Sequence, residues 1–340
     1  MVAFAVECLG IQRQNSTGWG IVKVFFSDHR ELTMTFIQRR TALLLAGSLA
    51  LGGALAQTSA PVRVGSKIDT EGKLLGNMIV LALEANGIKT ENKSGLGNTK
   101  VMRGALTAGE IDLYPEYTGN GAFIFGEESN PAWKDAKAGY ERVKALDFEK
   151  NKIVWLAPSP ANNTWAIAVR KDVATPNKLK TLDDLGQWLG KGGQFKLAAS
   201  AEFVERSDAL PAFQTAYNFK LKPDQLLTLA GGDTAVTIRA AGEKTSGVNA
   251  AMAYGTDGAV AALGLVILDD PKGVQPIYAP APIVREAALK QNPKIADALA
   301  PVFKLLDGPT LQSLNAKIQL EGQDARKVAS DFLKSKGLLK

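Results

Sequence analysis

Glu110–Asn120 reads Glu-Ile-Asp-Leu-Tyr-Pro-Glu-Tyr-Thr-Gly-Asn, and the rest of the chain is organised around it. Ile111–Tyr114 is a short apolar strand that runs into a proline. Pro115 has no N–H to give to a ladder, so the strand is expected to stop there. Gly119 permits a sharp turn and a close approach to a ligand. Tyr117 then stands at the end of a sheet strand, where open α/β sheets place their crevices. Either it faces a cleft or it packs beneath a loop, and this stretch alone leaves both open.

Outward from this strand, short apolar strands alternate with helices. Val62–Gly65 is a strand, and Leu74, Leu75, Met78, Ile79 and Leu83 recur at helical spacing up to Gly87. Thr99–Ala108 is a second helix, stopped by Gly109. Pro131–Lys150 reads as one polar helix. Lys152–Leu156, Trp165–Val169, Phe195–Ala199, Ala250–Tyr254, Leu265–Leu268 and Pro282–Val284 read as strands. Thr181–Leu189, Ser207–Phe219 and Asp233–Ala241 read as helices, and three more follow near Pro293–Leu306, Pro309–Ile318 and Asp324–Lys336. The pattern predicts an α/β fold with mostly parallel sheets in two lobes around a ligand cleft. Lobe one is expected over 57–162 and 259–340, and lobe two over 163–258. No internal repeat is visible.

Residues 34–60 carry a different signal. Met-Thr-Phe-Ile-Gln-Arg-Arg at 34–40 precedes an uncharged run, Thr41–Leu55, that ends in a small-x-small site before Gln57. This is the form of a secretory signal peptide, too short for a membrane span of about 20 residues. A retained anchor and a twin-arginine signal are the alternatives to cleavage by the general secretory route. Residues 1–33 fit neither export segment nor domain and read as a non-native extension ahead of a start at Met34. Loss of residues 1–56 would remove the only cysteine, Cys8, and the only histidine, His29. Thiol nucleophiles, imidazole bases and His/Cys metal sites then fall away, so neither catalysis nor a metal or other cofactor is expected. Five Lys/Arg and three Asp/Glu leave with that segment, lowering the formal charge from +6 to +4. The remaining basic residues are scattered without aromatic interleaving, which argues against nucleic acid.

Tyr117, Trp165, Tyr254 and Tyr278 stand at strand ends although aromatics make up only 7% of the chain. Aromatic faces attract cations, quaternary ammonium groups above all. Lys67 and Arg206 lie in similar positions and are placed to clamp a carboxylate. Singly, each aromatic is better read as core and each cation as a solvated surface charge; only the joint pattern describes a site for a small zwitterion. Gly95-Leu96-Gly97 lacks the context of a dinucleotide loop. Gly231-Gly232-Asp233-Thr234 opens a helix, either as an anion cap or as an aspartate N-cap.

Several ordered stretches carry a family likeness: Val-Gly-Ser-Lys-Ile-Asp-Thr-Glu at 64–71, Asp-Leu-Tyr-Pro-Glu-Tyr-Thr-Gly at 112–119 and Asn-Asn-Thr-Trp-Ala-Ile-Ala-Val at 162–169. Ala-Ala-Ser-Ala-Glu-Phe at 198–203, Ala-Tyr-Gly-Thr-Asp-Gly at 253–258 and Pro-Ile-Tyr-Ala-Pro at 276–280 continue it. From about Pro61 onward the chain resembles the substrate-binding proteins of ABC importers for glycine betaine, choline and related osmoprotectants, in their periplasmic osmoprotectant-binding subtype. The resemblance implies a two-lobed periplasmic-binding-protein (type II) fold, periplasmic location, a monomer and inner-membrane permease subunits as partners. It implies that Tyr117, Trp165, Tyr254 and Tyr278 hold a trimethylammonium head while Lys67 and Arg206 hold a carboxylate. Asn120, where some relatives have threonine, Asn163, where some have aspartate, and Thr256 complete the implied ligand set. An asparagine in place of that aspartate weakens cation attraction by about 1 kcal/mol or more. A periplasmic sensor working with a membrane receptor is the alternative function.

Overall fold

The structure is a computed structural model that describes residues 60–339. The extension and signal peptide assigned to residues 1–33 and 34–56 lie outside the described residues.

Ten strands form two five-stranded sheets. The first contains β1 (Val62–Lys67), β2 (Thr90–Gly97), β3 (Leu113–Tyr117), β4 (Ile153–Trp155) and β10 (Pro280–Arg285), in the order β2-β1-β3-β10-β4. The second contains β5 (Trp165–Arg170), β6 (Leu197–Ser200), β7 (Leu226–Leu229), β8 (Ala250–Tyr254) and β9 (Leu265–Ile267), in the order β7-β6-β8-β5-β9. Each sheet has two parallel and two antiparallel pairings, so both are mixed rather than mostly parallel. The antiparallel pairings arise where the chain enters from the other lobe: β10 and β5 each follow a crossing segment and run against their new neighbours.

The helices, in chain order, are α1 (Thr70–Ala85), α2 (Thr99–Thr107), α3 (Asn120–Phe125), α4 (Ala136–Asn151), α5 (Lys171–Ala174), α6 (Leu182–Gly190) and α7 (Ala201–Glu205). They continue as α8 (Leu210–Ala216), α9 (Thr234–Gly242), α10 (Glu286–Gln291), α11 (Ile295–Lys304), α12 (Gly308–Gln319) and α13 (Ala325–Ser335). Local chemistry sets many of these boundaries. Asp69 caps α1 by accepting from the Gly72 N–H, and the helix stops at Asn86 and Gly87, whose φ is +76°. Thr181 and Asp184 form a capping box at α6. The polar helix read over Pro131–Lys150 is a short 3-10 turn, Pro131–Lys134, followed by α4, because Asp135 starts a new helix with its own side-chain cap.

The strand around Pro115 is longer than expected. β3 runs through the proline to Tyr117, pairing Pro115 with Pro282 of β10. Thr118 N–H donates to Ala279 O and Arg285 N–H to Asp112 O on either side. In the alternation of an antiparallel ladder this makes Pro115–Pro282 a non-hydrogen-bonded pair, so β10 asks nothing of the missing N–H. On the other side, β1 meets β3 only at Val64–Leu113. The polar strand β2 and the short β7 were not apparent from sequence because each is a sheet edge without the alternating burial that reveals a strand.

The lobe boundary also differs. β9 lies beyond residue 258 yet pairs with β5, so the second sheet ends with β9 and the return crossing spans 268–279. The outward crossing is 156–164. The two crossings are tied together: Asn163 N–H donates to Tyr278 O at 2.9 Å, Tyr278 N–H to Asn162 Oδ1 at 2.8 Å and Ser159 N–H to Pro280 O at 2.8 Å. They form a two-stranded hinge.

α1, α11 and α13 cover one face of the first sheet and α2 and α4 the other, while α9 covers the outer face of the second. Within the second lobe α6 presses Gly186 against the Tyr217 carbonyl, which would stand 2.2 Å from an added Cβ. Gly186→Ala is therefore expected to destabilise the fold by about 3 kcal/mol, read as a lower urea midpoint with an unchanged slope; an unchanged midpoint would show that the helix can shift at no cost.

Candidate functional site

Between the sheets lies a cavity of about 30 Å³. Lys67 at the end of β1, Tyr117 at the end of β3, Asn120 in α3, Asn163 and Tyr278 in the hinge, Trp165 at the start of β5 and Tyr254 at the end of β8 all line it. Of the nine sequence-assigned site residues, only Arg206 and Thr256 stand behind the cavity wall. Both remain adjacent: Thr256 accepts from the Asn163 amide, and Arg206 stacks on Trp165.

Sheet register builds the aromatic wall. Trp165 faces Tyr254 across the β5–β8 ladder, and their rings stack with centroids 6.4 Å apart at 16°. Tyr278 lies 5.9 Å from Trp165, tilted by 54°, and Phe203 of α7 meets its edge at 5.6 Å. Gly119 is needed here, since a Cβ would come within 2.8 Å of the Tyr278 ring.

Two protein cations already lie on these aromatics. Lys67 Nζ is 4.8 Å from the Tyr117 ring centroid, and the Arg206 guanidinium is 4.5 Å from Trp165 and 4.3 Å from Phe123. Neither is free to act as a simple carboxylate clamp. Lys67 Nζ is 2.7 Å from Glu116 Oε1, inside the protein. Glu116 also accepts from Tyr114 Oη, Tyr117 N and Asn120 Nδ2. Burial opposes its charge, but Lys67 and these donors hold its pKa below the ordinary value. Arg206 donates through Nε and Nη2 to Asp208, at 2.8 and 2.7 Å, and through Nη1 to Glu202 and Asn120. Asn120 thus joins the two ion networks across the lobes. Sequence reading missed Glu116 and Asp208 because neither contains a signal distinguishing an ion-pair partner from any other acid.

Behind the aromatics sits a set of buried carboxylates. Glu71 accepts from Tyr117 Oη at 3.0 Å, Asn163 Nδ2 at 3.1 Å and Asn315 Nδ2 of α12 at 2.8 Å. Burial pushes its pKa up to about 7. Asp257 accepts from Tyr254 N, Thr234 Oγ1 and Gln319 Nε2, and burial pushes it up to about 6. Among the described residues neither forms a salt bridge. The Gly231–Thr234 turn belongs to this region as a helix start, with Asp233 accepting from Ala235 N–H. Among the described residues no group of three His, Cys, Asp or Glu is placed to hold a metal ion.

The raised carboxylates predict an unusual pH dependence of stability. A folded-state pKa above the unfolded value means that the folded protein binds the proton more tightly, so stability is highest below the unfolded pKa and falls as pH rises to the folded one. For Glu71 and Asp257 that window runs from the ordinary carboxylate value to about 7 and about 6. The depressed groups Glu116 and Asp112 act oppositely, and only at lower pH. The thermal midpoint is expected to be higher at pH 5 than at pH 8; a midpoint that rises over this interval contradicts the assignment.

Two mixed sheets of order 2-1-3-n-4, a double-stranded hinge and a cavity walled by both lobes define a solute-binding protein of the type II periplasmic-binding fold. The sequence matches the family described as the substrate binding domain of ABC-type glycine betaine transport systems over residues 60–335, and the chain belongs to that family. It is 65% identical over 300 residues to the glycine betaine-binding protein YehZ of Escherichia coli K12, covering 87% of this chain and 98% of that one. The structure of apo YehZ from Escherichia coli superposes with a TM-score of 0.61 at 66% identity, over 82% of this chain and all of the other. A glycine betaine/carnitine/choline ABC transporter structure shares the fold with a TM-score of 0.64 at 22% identity, over 82% of this chain and all of its own. Binding proteins of this family capture small molecules and work with membrane permease subunits.

Proposed function

We propose that this chain captures a quaternary-ammonium osmolyte, glycine betaine, choline or a close relative, in the periplasm and delivers it to the permease subunits of an ABC importer. It acts as a monomer, reaches the periplasm through its signal peptide and makes or breaks no bond in the ligand. The observation that carries this reading is the way the aromatic faces of Tyr117 and Trp165 already hold cations, Lys67 and Arg206. A methylated ammonium has no N–H to satisfy, so aromatic faces backed by carboxylates suit it better than a hydrogen-bonding cage.

A cavity of about 30 Å³ holds about one water molecule, so the ligand enters only as the lobes part. Because Asn163, Trp165 and Tyr278 belong both to the cavity wall and to the hinge or its flanks, filling the site and closing the lobes are one event. Calorimetric titration with glycine betaine, choline, carnitine and proline tests the proposal. Saturable binding of at least one quaternary ammonium is expected, with proline silent. Binding confined to ligands without a methylated ammonium would overturn it.

A further inference from the structure

Building on that function, we propose that Asp69 is the counter-ion of the ligand's cationic head and sets the preference for a charged over a neutral ligand. Asp69 lies in the turn between β1 and α1, is only 8% exposed and lines the same cavity as Trp165, Tyr254 and Tyr278. Its Oδ1 accepts from Gly72 N–H at 2.8 Å; among the described residues Oδ2 has no donor. The cation beside it, Lys67, is taken up by Glu116. The other charged groups acting on Asp69 are acidic: Asp233 at the start of α9, Glu71 in α1 and Asp257 beyond β8. The Tyr254 hydroxyl also lies within its field.

Burial raises the Asp69 pKa above the ordinary value against the opposing Gly72 N–H and Lys67, and Asp233 adds to the rise. Lys67, already paired with Glu116, offsets this desolvated charge only in part, and a quaternary ammonium seated against Tyr254 adds a cation. Asp69 thus supplies a carboxylate to the cation although position 163 carries a neutral amide. The countercharge comes from the opposite lobe, so the ligand's positive head draws the two lobes together. Helix capping explains Oδ1 alone; it leaves Oδ2 and the burial of the charge unexplained.

The test separates charge from capping. Asparagine caps a helix as well as aspartate does, and serine nearly so, so Asp69→Asn and Asp69→Ser remove the charge and spare α1. Choline and glycine betaine are titrated against their tert-butyl analogues, in which carbon replaces the charged nitrogen. The wild-type protein is expected to prefer the ammonium ligands. In both variants that preference falls by about tenfold or more, mainly through weaker ammonium binding, while Asp69→Glu retains it. Should Asp69→Asn fold poorly, the ratio in Asp69→Ser decides. An unchanged ratio in a variant that binds choline or glycine betaine overturns the role of Asp69 and leaves the proposed function standing. A wild-type protein that binds neither ammonium ligand overturns both.

Discussion

Glu116→Ala is expected to destabilise the protein by about 3–5 kcal/mol, because it leaves the Lys67 ammonium buried without its partner. Tyr114 Oη, Tyr117 N–H and Asn120 Nδ2 lose their acceptor at the same time. In a domain of this size that loss corresponds to a thermal midpoint lower by about 10 °C. The companion experiment is the double variant Glu116→Ala/Lys67→Met. With the unpaired charge gone, much of the lost stability should return, so the two substitutions must be strongly non-additive. Simple additivity would mean that Lys67 reaches water when its partner is removed and that the pair does not anchor this side of the site. Tyr117 and Asn120 are held by the same carboxylate, so the single variant should also weaken ligand binding beyond its effect on folding.

The second large effect is expected at Trp165. Its ring is packed by Phe203, Tyr254, Tyr278 and the Arg206 guanidinium together. Trp165→Ala empties the centre of that group and should cost about 3–5 kcal/mol of stability. It also removes the strongest cation-attracting face in the site. Measured well below the variant's midpoint, affinity for glycine betaine or choline should fall by about 100-fold, the sum of a lost cation–π contact and a loosened cage. Trp165→Phe keeps the apolar volume and a weaker face, so it should lose only several-fold. Equal losses in the two variants would assign Trp165 to packing rather than to recognition.

Much of this molecule was legible residue by residue. The α1 stripe of Leu74, Leu75, Met78, Ile79 and Leu83, the Thr181 cap of α6 and the aromatic ends of β3, β5 and β8 are all local patterns. Seven of the nine site residues read from the sequence line one cavity. The strand through Pro115 was not legible, since whether a proline's missing N–H matters depends on which partner strand lies on that side.

The same distinction governs the charges. The sequence places Lys67 and Arg206 to clamp a carboxylate because it shows that a cation exists, not what neutralises it. Lys67 meets Glu116 from 49 positions away, and Arg206 reaches Asn120 from 86 positions away. Asp208, only two residues from Arg206, was no easier to identify, since short separation does not show which way a side chain turns. Asp69 caps α1, yet its exposure to the cavity depends on how β1 and β8 face each other across the cleft. Periodicity, capping and turn chemistry act over a few residues, so they reveal most of the helices and the buried strands, the two-lobed class and the aromatic character of the site, but not the edge strands β2 and β7. Sheet order, the extent of the second lobe past residue 258, the pairing of the buried charges and the seating of the Asp69 carboxylate in the cavity wall come from the tertiary structure alone, because each depends on which distant groups share one low-dielectric interior.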